Sequence, residues 1–226
     1  MTLCTLRLYE DTLPASYSPV YLPAENRAVY VVDGEVLIET ADGAQLQRKD
    51  SAWVGAGEAT LQSGAQGARI FRWELVASPE PKRGELRSAP FCTSVRKLGA
   101  EVELDAKIGW LMRCDRVGFP KAGIAYTHVH QGPGIRCVLQ GEIRIEVPGH
   151  PTAVYGPGGS WLERGHEPVL APTTEREETE FARCFILPRS CRGKSSIRYV
   201  KAEDIPKPKP QRYAVLVERF VDLPGA

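Results

Sequence analysis

The sequence predicts an all-β protein made of two copies of one unit, and three observations carry this. First, 21 glycines and 18 prolines fall between short apolar runs, as turns between strands would. Second, no long apolar stretch repeats with the 3.6-residue period of a helix. Third, a pattern recurs 107 residues on, from Gly34 to Gly141. In both places Gly-Glu is followed by a branched apolar residue, a free position, Ile and Glu (34–39 and 141–146).

Each element follows in order. Leu3 to Tyr9 reads as a first strand, and it needs a partner because unpaired edges are hazardous. Ala28 to Glu39 reads as strand, turn, strand about Gly34. Ser51-Ala52-Trp53-Val54-Gly55-Ala56-Gly57 has its counterpart in Gly159-Ser160-Trp161-Leu162-Glu163-Arg164-Gly165. Ile70 to Leu75 closes the first unit as Arg183 to Pro188 closes the second. Residues 76–90 read as a linker, and Ile205-Pro206-Lys207-Pro208-Lys209-Pro210 as a stiff, solvated basic connector. Arg212 to Phe220 is a terminal strand, expected to pair with the first unit or with a second subunit. The boundaries drawn are 1–80, 81–204 and 205–226.

Composition narrows the function. With 29 Lys+Arg against 28 Asp+Glu, the chain is near neutral, which speaks against nucleic acid or a membrane surface as partner. No apolar run approaches the roughly 20 residues of a membrane-spanning helix. The opening residues lack a signal-peptide pattern, and the six cysteines show no C-x2-C pair. A cytoplasmic protein with reduced thiols is the expectation.

The chemistry concentrates at His128 and His130, two of only four histidines. Residues two apart on a strand face one way, so two imidazoles can meet one metal ion. An isolated H-x-H is more often a pair of surface histidines, and here the surroundings decide. The stretch Gly123 to Gly141, followed by Tyr155 to Pro168, resembles the cupin family. Gly123 (one residue off its ideal start), His128, His130 and Gly141 occupy slots of the family's first motif, G-x5-H-x-H-x3,4-E-x6-G. The slot for the motif's Glu holds Gly134. In the second motif the Pro slot holds Arg164 and the His slot holds Val169, and His166 fits only if the loop is about three residues shorter. The resemblance implies a bicupin: two tandem double-stranded β-helix, or jelly-roll, barrels.

Three ligand sets follow for one divalent ion per chain: His128, His130 and His166; His128, His130 and Glu163; or all four. Glu163 is preferred because it shares a strand face with Trp161, and Glu146 is the fallback. A two-histidine, one-carboxylate set suits Fe(II), with Zn, Mn or Ni as alternatives. The first unit has no equivalent, because His128, His130, Glu163 and His166 map onto Tyr21, Pro23, Gly55 and Glu58. Arg136 points into the family's barrel, where it could clamp a substrate carboxylate or pair internally with Glu163 or Glu146. Gln131 and Tyr126 are expected to line the pocket, and Gly134 to open room there for a bidentate substrate. The function expected is a metal-dependent enzyme acting on a small anionic or oxygenated compound, with dioxygenase chemistry preferred. The alternatives are a lyase, isomerase or hydrolase, or a small-molecule-binding bicupin. A homodimer is expected as well.

Overall fold

A computed structural model of the chain describes residues 1–16, 18–80, 89 and 91–225. Most of the predicted linker, residues 81–88 and 90, therefore lies outside the described residues. The first half carries β1 (Thr2–Leu13), β2 (Val20–Leu22), β3 (Asn26–Thr40), β4 (Gly43–Arg48), β5 (Ala52–Gly55) and β6 (Ala59–Ala77). Then come β7 (Thr93–Leu104), β8 (Trp110–Phe119), β9 (Ile124–His130), β10 (Gly134–Gln140), β11 (Ile143–Ile145) and β12 (Ala153–Tyr155). The last five are β13 (Ser160–Glu163), β14 (Val169–Pro172), β15 (Thr179–Pro188), β16 (Ile197–Tyr199) and β17 (Arg212–Val221). Only two 3-10 segments interrupt them among the described residues, Arg189–Cys191 and Ala202–Asp204, so none contains a helix long and apolar enough to cross a membrane.

One seven-stranded sheet runs β4-β3-β6-β1-β7, with β2 added on β6 and β5 on β3. The second half divides among a five-stranded sheet, β13-β10-β15-β8-β17, a three-stranded sheet, β14-β9-β16, and the β11-β12 pair. Isolated bridges Ile143–Thr173 and Glu146–Leu170 tie these sheets together. The ladders form no closed barrel among the described residues.

Two pairings differ from the sequence expectation. β7 lies inside 81–204 but pairs with β1, extending the first half's sheet. The terminal strand β17 pairs with β8, in the second half's own sheet rather than with the first half or another subunit. In both cases the open flank of a long central strand supplies the partner that strand pattern alone cannot identify.

The repeated Gly-Glu step folds alike in both places. Gly34 and Gly141 both have φ +74°. A Cβ on Gly34 would stand 2.1 Å from the Gly67 carbonyl, and one on Gly141 2.4 Å from the Glu178 carbonyl. Both sites need a left-handed turn against a neighbouring backbone, which only glycine meets cheaply.

Alternation along the strands sorts the buried apolar side chains into four clusters, three of them large. Val29, Val31, Ile38, Leu61 and Ile70 pack together in the first half. Val117, Phe119, Val138, Trp161 and Phe181 pack in the second. Between them lies the largest layer, where Leu6, Leu8, Tyr30 and Trp73 meet Met112, Cys114, Ile135, Cys137, Cys184 and Ile186. All six cysteine thiols are free, and every one but Cys92 is buried.

Candidate metal centre

The site begins with β9. Positions 128 and 130 share one face, and both imidazoles are buried, 4% and 6% exposed. Their ring centroids lie 4.9 Å apart. The third member comes from β13, where Glu163 is directly opposite Gly134 in the β10–β13 register. The carboxylate missing from position 134 is thus replaced from the neighbouring strand. One ligand atom from each of His128, His130 and Glu163 lies within 4.8 Å of the others. Glu163 Oε2 is 3.4 Å from His130 Nε2 and 4.0 Å from His128 Nε2.

Each member of the triad is oriented from behind. His128 Nδ1 lies 2.8 Å from the Tyr126 carbonyl. A carbonyl only accepts, so Nδ1 carries the proton and Nε2 presents a lone pair toward the carboxylate. His130 Nδ1 is 3.3 Å from Ser196 Oγ, which likewise leaves Nε2 facing inward. Trp161 Nε1 donates to Glu163 Oε1 at 2.9 Å, and Arg136 Nη2 donates to Oε2 at 2.7 Å.

The electrostatics fit a cation. Burial pushes His130 down to about 3, against the hydrogen bond and charge of Glu163, and burial also lowers His128. Both imidazoles are therefore neutral at physiological pH. Burial alone would raise Glu163, but the Arg136 guanidinium, with help from His130 and His128, holds it well below the usual carboxylate range. Two neutral nitrogens and an anionic oxygen converge with their second positions anchored, the arrangement in which proteins hold divalent ions. Bond lengths of roughly 2 Å to each donor would close this triangle with small side-chain adjustments.

The other predicted site residues lie elsewhere. His166 is exposed and borders a surface hollow with Arg164 and Pro133. The cause is Gly165, whose carbonyl accepts from the His130 amide and whose backbone abuts Gly132, so the next side chain turns outward. The three-histidine and four-ligand sets are therefore not assembled. Gln131 is exposed where the chain leaves β9. Tyr126 contributes its carbonyl, while its ring lies beneath Lys207 and Lys209, at 4.9 and 5.2 Å. Those lysines fold back onto Tyr126 and Tyr199, so the connector is not simply a solvated run. Glu146 pairs with Arg144 instead.

Arg136 is fully buried and inward-facing, but it pairs with Glu163 and with the Gly134 carbonyl rather than presenting a free fork. Its guanidinium carbon lies 4.7 Å from the Phe185 ring centroid, and Nε has no partner among the described residues. Burial lowers this group to about 10. Nor is there open room at Gly134, where a Cβ would meet the Phe185 ring and the Cys184 carbonyl, each at 2.7 Å.

Among its described residues the first half offers no such triad, and a different buried network stands there. Arg7, Arg27 and Arg72 converge on the buried Glu74, at 2.7, 3.1 and 2.7 Å. Arg27 also donates to the carbonyls of Pro23 and Gly57. Pro23 is the counterpart of His130, and a guanidinium there ties together what an ion would tie together in the second half. The sequence reading missed this network. Its signal was the strand alternation of Arg7, Tyr9 and Asp11 and of Arg72 and Glu74.

No family model and no curated protein matches this chain. Solved structures do. A mutant of oxalate decarboxylase from Bacillus subtilis superposes with a TM-score of 0.59 at 11% identity, covering 92% of this chain and 73% of that one. Procruciferin, an 11S globulin from Brassica napus, gives 0.58 at 8% identity, covering 85% and 77%. AerE from Microcystis aeruginosa gives 0.56 at 11% identity, covering 79% and 87%. These are cupin-fold proteins, and at such identities the likeness shows the fold alone.

Proposed function

We propose that this chain is a divalent-metal-dependent enzyme acting on a small anionic or oxygenated organic compound. Its ion would be held by Nε2 of His128, Nε2 of His130 and the Glu163 carboxylate. One observation carries the reading. The Tyr126 carbonyl fixes the His128 tautomer so that a lone pair, not a proton, faces the Glu163 oxygen 4.0 Å away. Arg136 neutralises that oxygen from one side, and a cation between the two electron-rich atoms would stabilise their approach from the other.

The ion would supply Lewis acidity toward a bound oxygen and, if it is iron, access to dioxygen chemistry. The chain's own residues orient and insulate. Trp161 and Arg136 hold Glu163 anionic, Ser196 and the Tyr126 carbonyl align the imidazoles, and Phe185 excludes water on the Arg136 side. The donor set suits Fe(II), and Mn(II) is an equal candidate given the Mn(II) centres of the similarly folded oxalate decarboxylase. Iron would favour a dioxygenase, and the other metals a decarboxylase, lyase or isomerase. We further propose a bicupin architecture, in which the first unit is closed by its guanidinium network and serves as scaffold.

The test is metal content of the purified full chain after growth with Fe, Mn, Zn or Ni. One equivalent per chain is expected, lost in His128→Ala and Glu163→Gln and kept in His166→Ala. An ion-free wild type under every supplement would sink the proposal. The second reading, a binding protein without catalysis, would then stand on the Arg136–Glu163 pair, which neutralises the carboxylate without any ion.

A further inference from the structure

A cleft of about 350 Å³ opens behind His130, between β17 and the segment leading into β16. Its size is at the lower end of small-molecule sites, enough for one ring and its substituents. The walls are apolar or aromatic: Ile197, Tyr213, Val215 and the flank of Arg183. Arg183 stacks within 4.4 Å of the Phe185 ring centroid and 5.5 Å of that of Tyr213.

Charge at this cleft is uneven. Arg183 pairs with Asp115 and Arg113 with Glu218, both at 2.5 Å, so these four cancel. Lys194, exposed at the rim, has no carboxylate partner among the described residues. One unopposed ammonium above apolar walls selects an anion with an apolar body. The cleft also reaches His130 from behind, because Ser196 lines it and lies 3.3 Å from His130 Nδ1.

We infer that this cleft binds a small aromatic carboxylate, with its ring against Tyr213 and Val215 and its carboxylate at Lys194, and that its occupancy is felt at the metal centre through Ser196 and His130. The second half of that statement rests on the metal reading above. The first does not.

Benzoate is the probe, titrated calorimetrically into the metal-stripped and Mn(II)-loaded full chain. Saturable binding is expected to both forms, with acetate (no ring) and benzylammonium (opposite charge) giving no signal. Lys194→Glu should weaken benzoate at least tenfold, and Val215→Trp, which fills the cleft from an exposed position, should abolish binding. Failure of benzoate to bind wild type, or equal binding to both variants, overturns the inference. Glu163→Gln should lose the ion and keep benzoate, which separates the two readings. Mn(II) uptake without benzoate binding would leave the metal centre standing and this inference refuted. Benzoate should also alter the Mn(II) EPR spectrum, and an unchanged spectrum at saturation would disconnect the cleft from the centre.

Discussion

Glu163 is held by three kinds of neighbour at once: a guanidinium, an indole N–H and two imidazoles. The Trp161 hydrogen bond fixes one carboxylate oxygen, and the other is shared between Arg136 and the two histidines. Groups behind a ligand typically govern metal affinity about 10–100-fold. Trp161→Phe should therefore weaken the ion by that factor while the fold persists, measured by competition with a chromophoric chelator. Arg136 answers a different question. Arg136→Met removes the cation that neutralises a buried carboxylate, and breaking such a pair costs about 3–5 kcal/mol. The variant should be destabilised without metal and recover on adding it, because the ion takes over the guanidinium's electrostatic role. A thermal melt with and without Mn(II) reads this, and a metal-induced rise in Tm no larger than that of wild type would contradict it.

At the scale of strands, the centre depends on register. Gly134 and Glu163 are opposite one another, and Arg136 is opposite both Trp161 and Arg183. Gly134 is required because β10 and β15 approach too closely for a side chain. Gly134→Ala should cost about 1–3 kcal/mol through overpacking, measured by urea unfolding. Gly134→Glu should not rebuild the family's usual ligand. This explains what could be read in advance. Period-two spacing placed His128 and His130 on one face, and the parity of Trp161 and Glu163 selected the carboxylate. The same parity put Arg136 inside. Its partner was left open between a substrate, Glu163 and Glu146, because strand alternation gives direction and not distance. His166 was equally undecidable, since its position depends on the Gly165–Gly132 contact, which is tertiary. The pairing of β7 with β1 and of β17 with β8 had no local signal at all.

Over the whole molecule, the two halves share one apolar layer, with Trp73 and Tyr30 on one side and Cys114, Cys184 and Ile186 on the other. Neither half can unfold without exposing that layer, so calorimetry should show a single transition. The charged network of the first half therefore bears on the stability of the whole molecule. Burial would raise the Glu74 carboxyl, but Arg72, Arg27 and Arg7 outweigh it and bring the group down to about 2 from its ordinary 4.5. A depressed carboxyl stabilises the fold fully above its unfolded value. That stabilisation is lost as pH falls from about 4.5 toward about 2, because the unfolded chain takes up the proton first. Stability should therefore drop steeply in that window. Glu74→Gln should flatten the drop and also lower Tm at pH 7, since three buried guanidiniums lose their common partner at a cost of about 3–5 kcal/mol. Because the layer is shared, the second half should melt with the first. Tm followed by near-ultraviolet circular dichroism and by exposure of the Cys114 and Cys184 thiols to a thiol reagent should coincide in wild type and in Glu74→Gln. Two separated transitions would show that the halves are energetically independent, and that the guanidinium cluster secures only its own half.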